Sequence, residues 1–251
     1  MNRLSALIPT RNEERNLPEC LASCSFADEI VVVDSGSTDR SAQIARDAGA
    51  VLLEHPFESH ARQKNWALER VANDWVLVID ADERVTPELS QEIRTAVADP
   101  GAARAFRMRR LNTFLGRRID GCGWQRDWVT RLLDRRAARF DDRRVHEGVT
   151  VDGPTGAFTG RLLHHSCQDL SQWLRKTDWY ATLGAEEAFA GGRRPQPFDL
   201  TARPLARFVK QWLLQAGFRD GPEGLILCAT SAYGVLLKYA RLRELAKAEK
   251  P

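Results

Sequence analysis

The chain has 251 residues, 43% hydrophobic and 28% charged, values that exclude a disordered chain, a collagen-like repeat and a disulfide scaffold. That length suits one large α/β domain, alone or with an appendage, rather than two full-size domains. A net charge of only +3 gives no global field that would call for nucleic acid, and the five cysteines are odd in number and widely spread, which argues for a reducing compartment.

In chain order, the apolar run 4–8 predicts a strand and the polar Thr10-Arg11-Asn12-Glu13-Glu14 a loop. Asn2 and Arg3 lead into an apolar stretch that is soon interrupted by Arg11 and Glu13, too short for a signal peptide, so the expectation is a cytoplasmic protein. A helix follows over 17–25. Residues 29–34 carry four β-branched side chains in succession and predict a buried parallel strand ending on a carboxylate. Ser35-Gly36-Ser37-Thr38-Asp39 is a turn into a helix, with Ser37 or Asp39 available to cap it. That helix stops near Gly49, and residues 50–54 predict a third strand. A helix over 60–72 precedes a fourth strand, 75–80, which again ends on aspartate. After a helix over 87–98 come shorter strand-like pieces at 104–110, 128–133, 149–151 and 160–165. From Leu170 onward the pattern is helical, divided into three helices by Pro195-Gln196-Pro197 and Gly221-Pro222.

Strand and helix alternating at this spacing call for a mostly parallel, Rossmann-like sheet flanked by helices. Ligands of such sheets bind outside the carboxyl ends of the strands. Three polar clusters therefore converge on one edge: Thr10 to Glu13, Asp34 to Asp39, and Asp80 to Glu83. Asp80-Ala81-Asp82 places two carboxylates at the end of a buried strand, where oxygen ligands shared with a diphosphate can hold Mg²⁺ or Mn²⁺. A solvated strand end is the plain alternative. Neither Gly-x-x-x-x-Gly-Lys-Ser/Thr nor Gly-x-Gly-x-x-Gly occurs, which removes the usual signatures of a P-loop NTPase or a dinucleotide dehydrogenase.

Four segments in this order, Ala6-Leu7-Ile8-Pro9-Thr10-Arg11-Asn12-Glu13, Ile30 through Asp34-Ser35-Gly36-Ser37-Thr38-Asp39, Ala61-Arg62-Gln63-Lys64-Asn65 and Val78-Ile79-Asp80-Ala81-Asp82-Glu83, resemble the N-terminal half of glycosyltransferase family 2. The resemblance implies the GT-A fold, a nucleotide-diphosphate sugar as donor, a divalent metal and inversion at the anomeric carbon. It further implies that Glu13 and Asp34 contact ribose and base, that Pro9, Arg11 and Gly36 line the donor pocket, and that Lys64 is another donor contact. Asp80 would lie near ribose or metal, and Asp82 would ligate the metal with a catalytic role.

The second half is similar to lipopolysaccharide-core β-glucosyltransferases of that family through Arg131-Leu132-Leu133-Asp134-Arg135, Arg139-Phe140, Val145-His146-Glu147 and Phe208-Val209-Lys210-Gln211-Trp212. Inversion requires a general base on the acceptor hydroxyl. Glu147 is the candidate, with Asp120, Asp127 and Asp141 as competitors. His164 is a third metal ligand by resemblance, or else a satisfied core histidine. The implied layout is a catalytic domain over 1–168, with a nucleotide-sugar half at 1–100 and an acceptor half at 101–168, followed by a helical region over 169–251.

Residues 104–144 hold 13 Arg against 5 Asp and no Lys or Glu. This block suits the phosphates of a lipid-linked saccharide acceptor, or else is an Arg-rich solvated face. Leu205, Phe208, Trp212 and Leu213 alternate with Arg203, Arg207 and Lys210 in a way that suits a membrane surface, with two covering helices as the alternative. The apolar run 225–237 is too short and too interrupted to span a bilayer. The expected protein is thus a hexosyltransferase on the inner face of the cytoplasmic membrane, taking a UDP-sugar to a lipid-linked acceptor, with no nucleic-acid partner. The alternatives are a sugar-phosphate nucleotidyltransferase and a non-enzymatic membrane or RNA adaptor.

Overall fold

In the computed structural model, residues 2–141, 148–167 and 169–249 are described. The chain divides into two units, Met1–Leu111 with Asp127–His164, and Asn112–Arg126 with His165–Pro251.

The first unit begins with β1 (Leu4–Thr10), α1 (Leu17–Ser23), β2 (Glu29–Asp34), α2 (Ser41–Asp47), β3 (Val51–Glu54), α3 (His60–Leu68) and β4 (Trp75–Val78). It continues with β5 (Glu83–Val85), α4 (Pro87–Ala98), most of β6 (Ala105–Phe114), then, after the short β7 (Arg117–Arg118) of the second unit, β8 (Trp128–Asp134), β9 (Ala138–Phe140), β10 (Val149–Val151) and most of β11 (Thr155–Cys167). Strands β3, β2, β1 and β4 lie side by side and parallel, with Leu7 between Val31 and Val78. Their apolar runs are continuous because both faces are covered. Ala6, Ile8, Val32 and Leu77 belong to one core, and Leu7, Val31, Val33, Val76 and Val78 to the other.

Beyond β4 the sheet changes direction. β8 pairs antiparallel with β4 and with β6, and β11 pairs antiparallel with β5, giving the order β3-β2-β1-β4-β8-β6-β11-β5. This is the GT-A type of architecture, a curled mixed sheet flanked by helices. The alternation over the first hundred residues gave the parallel strands and their helices in order. β5, β7 and β9 lie outside the expected strand-like pieces, being two or three residues long, too short to set a period of their own.

The second unit contains α5 (Leu170–Ala190), α6 (Ala202–Val209), a π-helical turn over Lys210–Leu214, a 3₁₀ turn over Gly217–Asp220 and α7 (Gly221–Ala248). The three expected α-helices are present. Their core gathers Phe114, Ile119, Cys122, Cys167, Leu227 and Cys228, with Trp124 and Trp173 packed against it. Trp124 stands edge-on to Phe114 and Trp173, and all five cysteines are free and buried. The 225–237 apolar run continues into a longer helical stretch: among the described residues, Gly217–Ala248 is long and apolar enough to cross a membrane by length and composition.

Candidate active site

The carboxyl ends of β1, β2 and β4 are locked by side chains from the loops that follow them. After β2, the Asp34 carboxylate accepts hydrogen bonds from the Gly36 and Ser37 amides at 3.1 and 2.9 Å and from the Ser37 hydroxyl. Gly36 takes φ +75°, a left-handed geometry that glycine adopts without strain. Asn12 also has a positive φ, and its side-chain oxygen accepts from the Thr38 amide at 2.8 Å. Asp39 caps the next turn by accepting from the amides of Ser41 and Glu14. Burial would raise the Asp39 carboxyl, but the Ser41 hydroxyl and these amides hold it below its ordinary range. Asp34 thus builds the turn that was expected to touch a nucleoside. Its Oδ2 is filled by the two amides, whereas Oδ1, which takes the Ser37 hydroxyl, retains acceptor capacity.

Helix α3 contributes Gln63, Lys64 and Asn65 as a three-way bracket. Gln63 donates to the Val33 carbonyl at 3.3 Å and to Ser35, and Asn65 both donates to and accepts from the backbone of Phe140 at 2.9 Å. Lys64, only 2% exposed, brings its Nζ to 3.4 Å from Asp80 Oδ1 and lies 5.2 Å from the centre of the Phe140 ring.

At the end of β4 the chain reverses within four residues. The Glu83 amide donates to the Asp80 carbonyl at 2.9 Å, while Glu83 Oε2 accepts from the Asp80 amide at 3.0 Å. The reversal sends Glu83 into β5 opposite His164 of β11. Asp82, in the chain between Asp80 and Glu83, comes within 3.4 Å of His164 Nε2 through its Oδ2.

Behind this turn lies a network of charges. Arg131 bonds Asp80 and reaches Glu83 Oε1 at 2.7 Å. Arg110 approaches Glu83 at 3.4 Å and makes two bonds with Asp127 at 2.9 and 3.0 Å. Glu83 is fully buried. Arg131 reaches the network because the β6–β8 register jumps from Phe106↔Leu132 to Arg107↔Thr130, which leaves Arg131 as the extra residue of a bulge. Bulges re-aim a side chain in this way beside functional sites. Burial would raise the Asp80 carboxyl, but Arg131 and Lys64 outweigh it and hold Asp80 well below the usual carboxylate range. Burial would likewise lower Arg131, yet Asp80 and Glu83 hold its guanidinium more firmly protonated than usual.

The sites named from sequence are therefore distributed unevenly. Asp80, Asp82, Lys64 and His164 share one neighbourhood through the contacts above. Arg11 is exposed; Glu13 is partly buried on the same loop after β1, and Pro9 is partly buried near the end of β1 itself. Glu147 lies outside the described residues. Asp127 is engaged by Arg110, Asp120 by Arg118 at 2.7 Å, and Asp141 accepts from Thr150. Among the described residues no three His, Cys, Asp or Glu side chains form a group able to hold a metal unaided.

Glu83, Arg110 and Arg131 were not among the expected site residues. Glu83 was readable as a third carboxylate after Asp80-Ala81-Asp82, whereas Arg131 was one arginine among thirteen until the bulge singled it out. Much of the Arg block is consumed by the protein's own carboxylates. Arg104 and Arg136 flank the buried Asp134 at 3.1 and 2.8 Å, Arg136 and Arg135 reach Asp74 at 3.0 and 3.6 Å, and Arg107 and Arg109 lie over the Trp128 ring.

A curled mixed sheet of the GT-A type, with polar groups gathered at the carboxyl ends of its parallel strands, is the architecture of a glycosyltransferase. The sequence matches the family described as Glycosyl transferase family 2 over residues 5–147, and the chain belongs to that family. It is 32% identical over 246 residues to the lipopolysaccharide core biosynthesis glycosyltransferase LpsC of Rhizobium meliloti, a match covering 95% of this chain and 91% of that protein. An uncharacterized glycosyltransferase of Rickettsia typhi is 28% identical over 98% of this chain and 88% of its own. A TPR repeat-containing protein of Synechococcus elongatus is 38% identical over 91% of this chain, which spans 51% of that protein. Among solved structures, glucosyl-3-phosphoglycerate synthase of Mycobacterium tuberculosis with Mn²⁺, UDP and phosphoglyceric acid overlaps 43% of this chain and 43% of its own, at TM-score 0.39 and 22% identity. Membership of the family makes the chain a glycosyltransferase, in preference to a nucleotidyltransferase or an adaptor.

Proposed function

We propose that this chain is an inverting hexosyltransferase that moves a sugar, glucose as the leading candidate, from a UDP-sugar to a hydroxyl of a lipid-linked saccharide such as lipopolysaccharide core. The observation that carries the reading is the division of labour at the end of β4. Asp80 has its charge matched by Lys64 and Arg131, and Asp82 and His164 stand together at 3.4 Å beside it as a carboxylate and imidazole pair. A carboxylate oxygen beside an imidazole nitrogen fits Mn²⁺ or Mg²⁺ when the donor's diphosphate supplies the remaining oxygens. When bound, such a cation neutralises the charge that develops on the departing nucleoside diphosphate.

This chain's own residues do the rest. Pro9, Arg11 and Glu13 at the end of β1 and in the loop after it, with Asp34 at the end of β2 and Gly36 just beyond it, hold the nucleoside against the strand ends. Lys64 and Arg131 fix Asp80 so that the turn keeps its shape as charge arrives. Glu147 takes the proton from the acceptor hydroxyl while the donor sugar departs from the opposite face. The name of LpsC, similar over almost its whole length, supports the acceptor class. The proposed location is the inner face of the cytoplasmic membrane.

Titration calorimetry with UDP, GDP, CDP and dTDP, each in Mn²⁺ and again in EDTA, tests the donor reading. One nucleotide binding only with metal is the expected result, and no binding under either condition overturns it. Glu147→Gln is expected to bind donor normally and lose transfer, so sustained turnover by that variant moves the base elsewhere.

A further inference from the structure

In the second unit, we infer that α6 and the two turns after it form a pad that seats on an anionic phospholipid surface, with the chain lying on the bilayer rather than crossing it. The inference deepens the membrane placement proposed above by naming the surface that makes the contact.

Leu205, Val209 and Leu213 recur every four residues and so share one side of the helical segment. Leu205 is 64% exposed and Leu213 57%, while the adjoining Leu214 and Phe218 are 80% and 52% exposed. Phe208 and Trp212 pack instead against the core around Cys122 and Cys228, and their rings stack at 6.2 Å. The apolar face read from the sequence is therefore two faces, one turned into the unit and one turned to solvent. Isolated exposed leucines are ordinary, but a contiguous group on a short segment marks an interaction surface.

The charge around the pad selects the occupant. Residues 201–219 contain Arg203, Arg207, Lys210 and Arg219 and no Asp or Glu. Arg203 is tied to Asp199 at 2.5 Å, whereas Arg207, Lys210 and Arg219 are exposed beside the leucines. Apolar side chains ringed by Arg and Lys match the layered chemistry of an anionic bilayer surface, acyl chains below and phosphates above.

The neighbouring α7 packs against α5 rather than standing alone. Trp173 of α5 donates to Thr230 at 2.9 Å, and Arg241 meets Asp178 at 2.5 Å. Carrying α7 through hydrocarbon would draw Asp178, Arg241 and Lys238 with it or strip those contacts, a cost that lying on the surface avoids.

The test is co-sedimentation of the full chain with vesicles of phosphatidylcholine alone or containing phosphatidylglycerol, at low and high salt, with circular dichroism to verify folding. Binding is expected only with phosphatidylglycerol, with at least a tenfold loss for Leu213→Glu combined with Leu214→Glu. Arg207→Glu combined with Lys210→Glu is expected to weaken binding and flatten its salt dependence. Unchanged sedimentation by the folded leucine variant overturns the inference, as does failure of the wild type to bind. A soluble dimer that dissociates in the leucine variant while vesicles are ignored also overturns it and assigns the pad to a second copy. No sugar transfer enters the assay, so its failure is distinct from failure of the transferase reading.

Discussion

The turn after β4 and the segment from α6 to α7 break the same rule in opposite directions. Charged groups normally stay in water and large apolar ones out of it. At the turn, Glu83 and Lys64 are buried and Arg131 is buried with them. On the α6 segment, Leu205, Leu213, Leu214 and Phe218 stand in solvent. Each exception has a different physical cost. Burying ions is tolerable only when every charge has a partner, so the turn is rigid and intolerant of single changes. Exposing leucines costs the folded chain little locally, so the pad is free to vary in stability terms and is constrained only by what it touches.

The sharpest way to break this comparison is Arg131→Leu. It takes from buried Glu83 its 2.7 Å partner, leaving Arg110 at 3.4 Å, and is expected to lower unfolding free energy by up to about 3–5 kcal/mol in urea titration, the usual cost of removing one partner of a buried ion pair. A loss under about 1 kcal/mol, an exposed pair's worth, would mean that Arg110 alone balances the buried Glu83 charge. Asp82→Ala, at the same turn but outside the Arg131 network, is expected to cost transfer about 10²-fold or more through lost transition-state stabilisation while its melting temperature stays near that of the wild type. Normal transfer by that variant would remove Asp82 from the metal reading.

The next effect is a pH dependence. Asp80 has its folded pKa below the unfolded value of about 3.9, so its contribution to stability is present above that pH and is lost as pH falls through the folded pKa. The gap in melting temperature between wild type and Asp80→Asn should accordingly be wide at neutral pH and close in acid. A gap that is constant with pH would show that the Asp80 charge adds nothing to the fold. The smallest effect belongs to the pad. Leu213→Glu is expected to change stability by no more than about 0.5 kcal/mol, as surface changes do, and a larger loss would mean that Leu213 is packed.

The contrast also explains what could be read in advance. The four apolar runs β1 to β4 with their intervening helices follow from hydrophobic patterning, since strands covered on both faces are apolar throughout and the helices between them are not. The Asp-x-Asp stood out because it ends such a run. Lys64 was expected as a donor contact, yet the bonds that it and its neighbours Gln63 and Asn65 make to Asp80, Val33 and Phe140 join segments up to 75 residues apart, a separation that carries no local period.

Chain order alone thus determined the parallel strands, the edge where their polar ends gather and the three C-terminal helices, because propensity and periodicity act over a few residues. Tertiary structure decided the rest. The β6–β8 bulge aimed Arg131 at Asp80 and Glu83, the β5–β11 pairing brought His164 to Asp82, and packing turned Phe208 and Trp212 inward while leaving Leu205 and Leu213 in solvent. Which arginine meets which carboxylate, and which leucine meets nothing, depends on strand register and helix packing between residues far apart in sequence.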